Sequence, residues 1–220
     1  MKKILVIAPH PDDEILGCGG VLKKFKNKKI YWLIITNMIR SKGFSNKEIL
    51  RREREIKSIS KKLAFKKVVR LDFIASELSK SNLNKLIQKL SLEIKKIKPD
   101  TIFSPFLHDA HSDHFFTTYA LNHILKTFRY PFVRECYQYE TLSETNQSYV
   151  KRKIFTPNVY FNITNQLKDK LKLAKIYKSE FKKHPFPRSL DSIKALAVLR
   201  GSESGYKYAE SFQLILKKND

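Results

Sequence analysis

Cysteine is scarce in this chain, with only Cys18 and Cys136. Two residues so far apart form no metal-type spacing and no disulfide framework, which points to a reduced, cytoplasmic setting. Glycine is also sparse, and neither a G-x-G-x-x-G pattern nor a P-loop occurs, which argues against a nucleotide cofactor. No apolar run approaches the ~18–20 residues needed to span a bilayer. The opening Lys2-Lys3 followed by Ile4 to Ala8 imitates a signal peptide. Its apolar part is too short, however, and runs straight into Pro9-His10.

Acidic residues are in short supply too, 21 against 44 basic ones, for a net charge of +23. Such an excess invites a nucleic-acid reading, because Lys and Arg neutralise phosphates and release counterions. Yet 34 of the basic residues are lysine, whereas arginine is the better bidentate reader of phosphates and base edges. No aromatic-basic signature of an RNA-binding module is present. A solvated basic surface is the preferred reading, and no specific nucleic acid is expected. Attraction to anionic substrates or peripheral contact with an anionic membrane stays open.

What is present is an alternation of strands and helices. Residues 3–9, 30–36, 68–71 and 101–104 are short apolar runs ended by breakers or polar residues, and read as buried strands. Helical spacing occupies residues 13–26, a stretch capped by Asn46 and running to residue 63, and residues 83–97 and 115–128. Residues 136–141 and 159–163 read as further strands, and 165–181 and 190–200 as helices, the last stopped by Gly201. Tyr208 and Phe212 are expected in the core. Residues 142–153, polar and poor in apolar side chains, suit a mobile loop.

At 220 residues the chain is expected to be one domain over 1–220. The fold class is α/β, a Rossmann-like three-layer sandwich with a mostly parallel sheet. Right-handed crossovers bring the strand ends at His10, Asn37, Asp72 and Pro105 to one carboxyl edge, where such sheets bind ligands.

Two polar clusters stand at that edge. The first is His10-Pro11-Asp12-Asp13-Glu14, and the second runs from His108 to His114. Singly, each residue has a plain explanation: a strand-end histidine in solvent, or acids complementing a helix dipole by about 0.3–1 kcal/mol. Together, two imidazoles and one carboxylate form a catalytic metal shell with a position left open for water. Packing alone gains nothing from such clusters at two buried strand ends. Histidine and carboxylate donors suit Zn²⁺, with Fe²⁺, Co²⁺ or Mn²⁺ as alternatives. Which acid is the ligand stays open on spacing alone.

The pair of motifs resembles the PIG-L/LmbE-type zinc-dependent de-N-acetylases. Arg52 and Glu55 match that family's R-x-x-E helix pattern, Asp72 falls where an aspartate often follows its third strand, and HPFPRS (184–189) and RGSESGYKYAESF (200–212) resemble its tail. The resemblance implies that His10, Asp13 and His114 hold the metal. It implies Asp12 as general base, His111 as a holder of the oxyanion, and Asp113 as the carboxylate that orients a histidine, His111 being the candidate. Glu14 is expected to bond backbone or helix amides, loop polarity explains His108 and Asp109 about as well as function does, and His123, inside a helix, is read as structural. Arg52, Asp72 and Arg188 are the candidate substrate contacts. The implied substrate is a small molecule or glycoconjugate carrying an N-acetylglucosamine-type sugar, cleaved to free amine and acetate. Homo-oligomerisation is left open. The competing reading is a basic nucleic-acid or membrane-binding module whose metal site is structural or vestigial.

Overall fold

The run KILVIA is rich in β-branched and long aliphatic side chains, which suit a pleated strand covered on both faces. It forms β1 (Lys3–Ala8), buried from Ile4 onward. The structure, a computed structural model, describes residues 1–38, 43–149 and 153–219. After β1 come α1 (Asp13–Lys24), β2 (Lys29–Asn37), α2 (Asn46–Lys62), β3 (Lys67–Ile74), α3 (Leu83–Ile97), β4 (Thr101–Pro105), α4 (Ser112–Ile124) and β5 (Glu135–Tyr139). The chain closes with β6 (Val159–Asn162), α5 (Leu167–Ala174), α6 (Leu190–Ser204) and β7 (Ala209–Lys217).

The strands form one seven-stranded sheet in the order β3-β2-β1-β4-β5-β7-β6. Strands β1 to β5 pair in parallel, and β7 runs antiparallel between β5 and β6. Alternate residues of β1 serve opposite faces, as the period of two demands. Ile4, Val6 and Ala8 join a core with α1, α2, α5 and α6. Leu5 and Ile7 join a second core with α3 and α4. The result is the expected three-layer α/β arrangement. Connections from β1 lead outward to β2 and β3, and the chain then returns to place β4 on β1's other side. The crevice between β1 and β4 is therefore the topological switch point, where open α/β sheets bind ligands. The two polar clusters follow those two strands.

Several boundaries differ from the sequence expectation. Ser45, not Asn46, caps α2: its hydroxyl accepts from the Glu48 amide while the Glu48 carboxylate accepts from the Ser45 amide. Helix α4 starts three residues before Phe115 and ends at Ile124, short of Phe128. Helix α5 stops at Ala174 instead of reaching Phe181, and the turns that follow turn Tyr177 inward. Gly201 lies inside α6; the helix closes at Gly205, whose φ of 73° is the left-handed cap. Gly201 is required for close approach, since a Cβ there would stand 2.6 Å from the Tyr206 carbonyl oxygen. Strand β7 is absent from the sequence expectation, because Glu210, Ser211 and Gln213 interrupt its apolar pattern. Phe212 on it is fully buried, whereas Tyr208 is only partly so. Within 142–153, residues 150–152 lie outside the described residues, and Thr145 is anchored by donating to Asp109 (2.6 Å).

Candidate metal centre

Pro9 and Pro11 end β1 and force the chain into a tight turn over the sheet edge. Asp12 sits in that turn with φ 139°, a backbone conformation L-residues rarely adopt. Four contacts hold it there. The Asp12 amide donates to Glu14 Oε2 (3.0 Å), and Glu14 Oε1 accepts from the Tyr177 hydroxyl (2.6 Å). The Arg52 guanidinium donates to the Pro11 carbonyl, and the Thr36 hydroxyl donates to the Pro9 carbonyl (2.8 Å).

Past the turn, three ligand-type side chains converge. Asp13 Oδ2 lies 3.5 Å from His10 Nδ1 and 3.3 Å from His114 Nε2. Donors bonded to one zinc ion at ~2.0–2.2 Å in a tetrahedron stand ~3.4 Å apart, so these separations fit such an ion. Each histidine turns its other nitrogen to a carboxylate. His10 Nε2 meets Asp113 Oδ2 at 2.9 Å, and His114 Nδ1 meets Asp109 Oδ2 at 2.8 Å. That pairing puts the proton on the far nitrogen and leaves the lone pair facing Asp13, the arrangement found behind metal-bound imidazoles. The set His10, Asp13 and His114 therefore suits a divalent ion.

A second triplet, His10, His111 and Asp113, also lies close together. It suits an ion less well, because Asp113 is already engaged by His10 and by the Ser76 and Leu78 amides. Asp113 thus orients His10, not His111 as expected from sequence. His111 is fixed otherwise: its Nδ1 accepts from the Asp113 amide (3.0 Å), as the N-terminal cap of α4. A neutral His111 consequently carries its proton on Nε2.

The ionisable groups respond to one another strongly. Burial lowers the pKa of His10, but hydrogen bonds to Asp113 and Asp13 outweigh it and raise the value to about 9. Burial opposes ionisation of Asp13, yet the charge of His114 and the bonds from both histidines drive its pKa far down. Burial and the neighbouring Asp13 charge lift Asp12 to about 7, with Arg52 and Arg188 opposing. His111 is lowered to about 4 by burial and by the charge of His10. A divalent ion held by His10, Asp13 and His114 would balance the same buried acids.

A cavity of about 280 Å³ opens over this cluster. Its wall includes His111, Arg52, Arg188, Phe44, Thr141, Glu144 and Glu180. Arg188 Nη1 donates to Asp12 Oδ2 (3.2 Å) and also faces Glu180 (3.3 Å). Arg52 is buried, holding Pro11, Glu180 and Glu55, which makes it a support of the wall. Arg188 Nε and Thr141 Oγ1 are buried polar atoms with no hydrogen-bond partner. Asp72 is the candidate the structure does not bring in. Strand β3 runs on to Ile74, so Asp72 lies within it, exposed, accepting from Asn37 (2.9 Å) and off the cavity lining. Asp109, which the sequence left open between loop polarity and function, lies behind His114; Tyr177, Glu180 and Thr141 were missed and carried no sequence signal.

The model of the PIG-L family, GlcNAc-PI de-N-acetylase, matches residues 5–125, more than half of the chain, and includes both clusters. This chain belongs to the PIG-L family. Among curated relatives of this PIG-L chain is a diacetylchitobiose deacetylase of Thermococcus kodakarensis, 26% identical over 231 residues, covering 98% of this chain and 84% of that protein. Among solved structures, the N,N'-diacetylchitobiose deacetylase of Pyrococcus horikoshii superposes with a TM-score of 0.78 at 22% identity, over 98% of this chain and 84% of its own. A conserved protein of Thermus thermophilus gives 0.79 at 25% identity, over 100% and 97%. The PIG-L fold thus extends over the whole sheet, beyond the matched segment. No helix among the described residues is long and apolar enough to cross a membrane.

Proposed function

We propose that this chain is a metal-dependent hydrolase that removes the N-acetyl group from an N-acetylglucosamine-type sugar, giving a free amine and acetate. The observation that carries this reading is the convergence of His10 Nδ1, His114 Nε2 and Asp13 Oδ2 beside Asp12, beneath a cavity at the switch point. Membership of the PIG-L family and likeness to diacetylchitobiose deacetylases support the same reaction class. A structural site closes with four protein ligands, whereas three donors facing a cavity leave a position for chemistry, which argues against a vestigial site in a basic binding module.

Zinc is the ion we favour, with Fe²⁺, Co²⁺ or Mn²⁺ fitting the same donors. Held by His10, Asp13 and His114, it supplies a Lewis acid for the acetamide carbonyl and lowers the pKa of water from ~15.7 towards ~7. Asp12 takes the proton of the attacking water, its carboxylate held by Arg188. His111 donates its Nε2 proton as a hydrogen bond to the acetamide oxygen as negative charge develops there. Asp12 then hands its acquired proton to the leaving nitrogen. Arg188 and Thr141, polar residues of the wall, are the ones we assign to sugar hydroxyls. The volume suits about one sugar ring, so the rest of a glycoconjugate lies outside. Residues 1–220 act as one catalytic domain in this reading. Buried, unpaired Cys18 and Cys136 support a cytoplasmic setting.

Acetate release from a panel of N-acetylglucosaminides by the zinc-loaded chain tests the proposal. Release should stop on chelation and return with zinc. Stoichiometric zinc with no acetate from any glucosaminide overturns the substrate class.

A further inference from the structure

Helix α1 is broken at Cys18, whose φ of −143° and ψ of 21° are not helical. In an unbroken helix the Leu16 carbonyl would accept from the Gly20 amide, and the Gly17 carbonyl from the Val21 amide. Here the Gly20 and Val21 amides instead donate to Glu210 Oε1 (2.8 Å) and Oε2 (2.7 Å). The Leu16 carbonyl accepts from Lys170 Nζ (2.8 Å). Lys170 and Glu210 are themselves paired at 2.7 Å, and both are buried. An ion pair drawn from α5 and β7 is therefore inserted into the hydrogen-bond ladder of α1.

The chemistry of the gap calls for such a pair. A buried carbonyl needs a donor and two buried amides need an acceptor. Lysine closes the carboxyl end of the first piece and glutamate the amino end of the second, each with the sign the helix dipole favours. The first piece carries Asp13 and Glu14 and is capped by Asp12. It also lies against Tyr139, close enough that a Cβ on Gly17 would stand 2.1 Å from the ring. The Tyr139 hydroxyl is tied to the Ile7 carbonyl (2.8 Å). One end of this piece thus rests on the ion pair and the other bears the turn that faces His114.

We propose that Lys170 and Glu210 are positioning residues: by filling the break in α1 they set the short segment that carries Asp12 and Asp13 against His10 and His114. Neither residue touches the reacting atoms. The inference rests on the reading of His10, Asp13 and His114 as metal ligands.

The test measures zinc affinity by chelator competition, the visible spectrum of the cobalt(II)-loaded protein, and thermal midpoints, on the full chain. The variants are Glu210→Gln, Lys170→Met and Lys170→Arg, with Ile94→Ala in the opposite core as a control for lost stability. Glu210→Gln and Lys170→Met should weaken zinc binding on the order of tenfold, as loss of a support behind a metal ligand does. They should also alter the cobalt spectrum and lower kcat with little change in KM. Lys170→Arg, which keeps a charged donor, should restore most of the affinity. Ile94→Ala should lower the midpoint and leave zinc affinity and spectrum as in the parent. Parent-like zinc affinity and cobalt spectrum in Glu210→Gln, whatever its midpoint, overturn the inference, and that variant keeps the test decisive if Lys170→Met does not fold. Failure of the parent itself to bind zinc or cobalt overturns the metal reading first and this inference with it.

Discussion

The parallel part of the sheet and the part beyond β5 contribute to the site in different ways. Every proposed metal ligand, the proposed base and the proposed oxyanion donor follow β1 or β4. The later segments supply what holds these groups: Tyr177 behind Glu14, Glu180 and Arg188 around Asp12, and Lys170 with Glu210 inside α1. These late segments add to the support that Thr36, Arg52, Asp109 and Asp113 give from the first half of the chain. A metal ligand acts through its own atoms, so its residue type is dictated. A support acts through another residue, and many side chains can do that. Residues dictated by chemistry are the ones a sequence displays.

This contrast can be broken by substitution, beginning with the largest expected effect. Asp13→Ala should abolish bound zinc and bring acetate release to background, measured by metal content and a coupled acetate assay. Asp12→Ala should keep zinc at parent stoichiometry and lose ~10²–10⁴ in kcat, the usual contribution of a positioned base. Zinc loss in Asp12→Ala would mean that the two aspartates do not divide their roles as proposed. Asp109→Asn should retain the fold and weaken zinc ~10–100-fold in a competition titration. On the supporting side, Tyr177→Phe removes one partner of a buried carboxylate. It should cost ~1–3 kcal/mol in denaturant unfolding, with KM unchanged. The smallest effect is expected for Asp72→Asn, which tolerates the positive φ of 55° and keeps an acceptor for Asn37, within about 0.5 kcal/mol in stability. A raised KM in that variant would restore Asp72 as a sugar contact.

Much of the fold was legible because each of the first strands is a short apolar run ended by a breaker or polar residue. The two clusters stood out because dense polarity at the ends of buried strands has no packing rationale. What was hidden depended on distance along the chain. Glu210 meets α1 across 189 residues and Tyr177 meets Glu14 across 163, and nothing local marks either. Strand β7 was concealed by the same residue: Glu210 breaks an apolar pattern at the point where its carboxylate is needed. Helix α5 was read too long because Ile176, Tyr177 and Phe181 continue its apolar spacing while their side chains serve the turns that follow. Asp113 was matched to the wrong histidine, since proximity in sequence favoured His111 and the fold brought His10 to its carboxylate.

The positive φ of Asp12 carries a consequence for how this chain could be improved. A non-glycine residue held there costs on the order of 1–3 kcal/mol, and its carboxylate is buried beside a second one. Asp12→Gly relieves both penalties and gives up only the contact with Arg188, which keeps Glu180 as a partner. The glycine variant should therefore unfold at a higher temperature than the parent while turning over no substrate. Selection for thermostability alone would discard the proposed base. Any campaign to harden this protein has to hold position 12 fixed and look for its gains elsewhere.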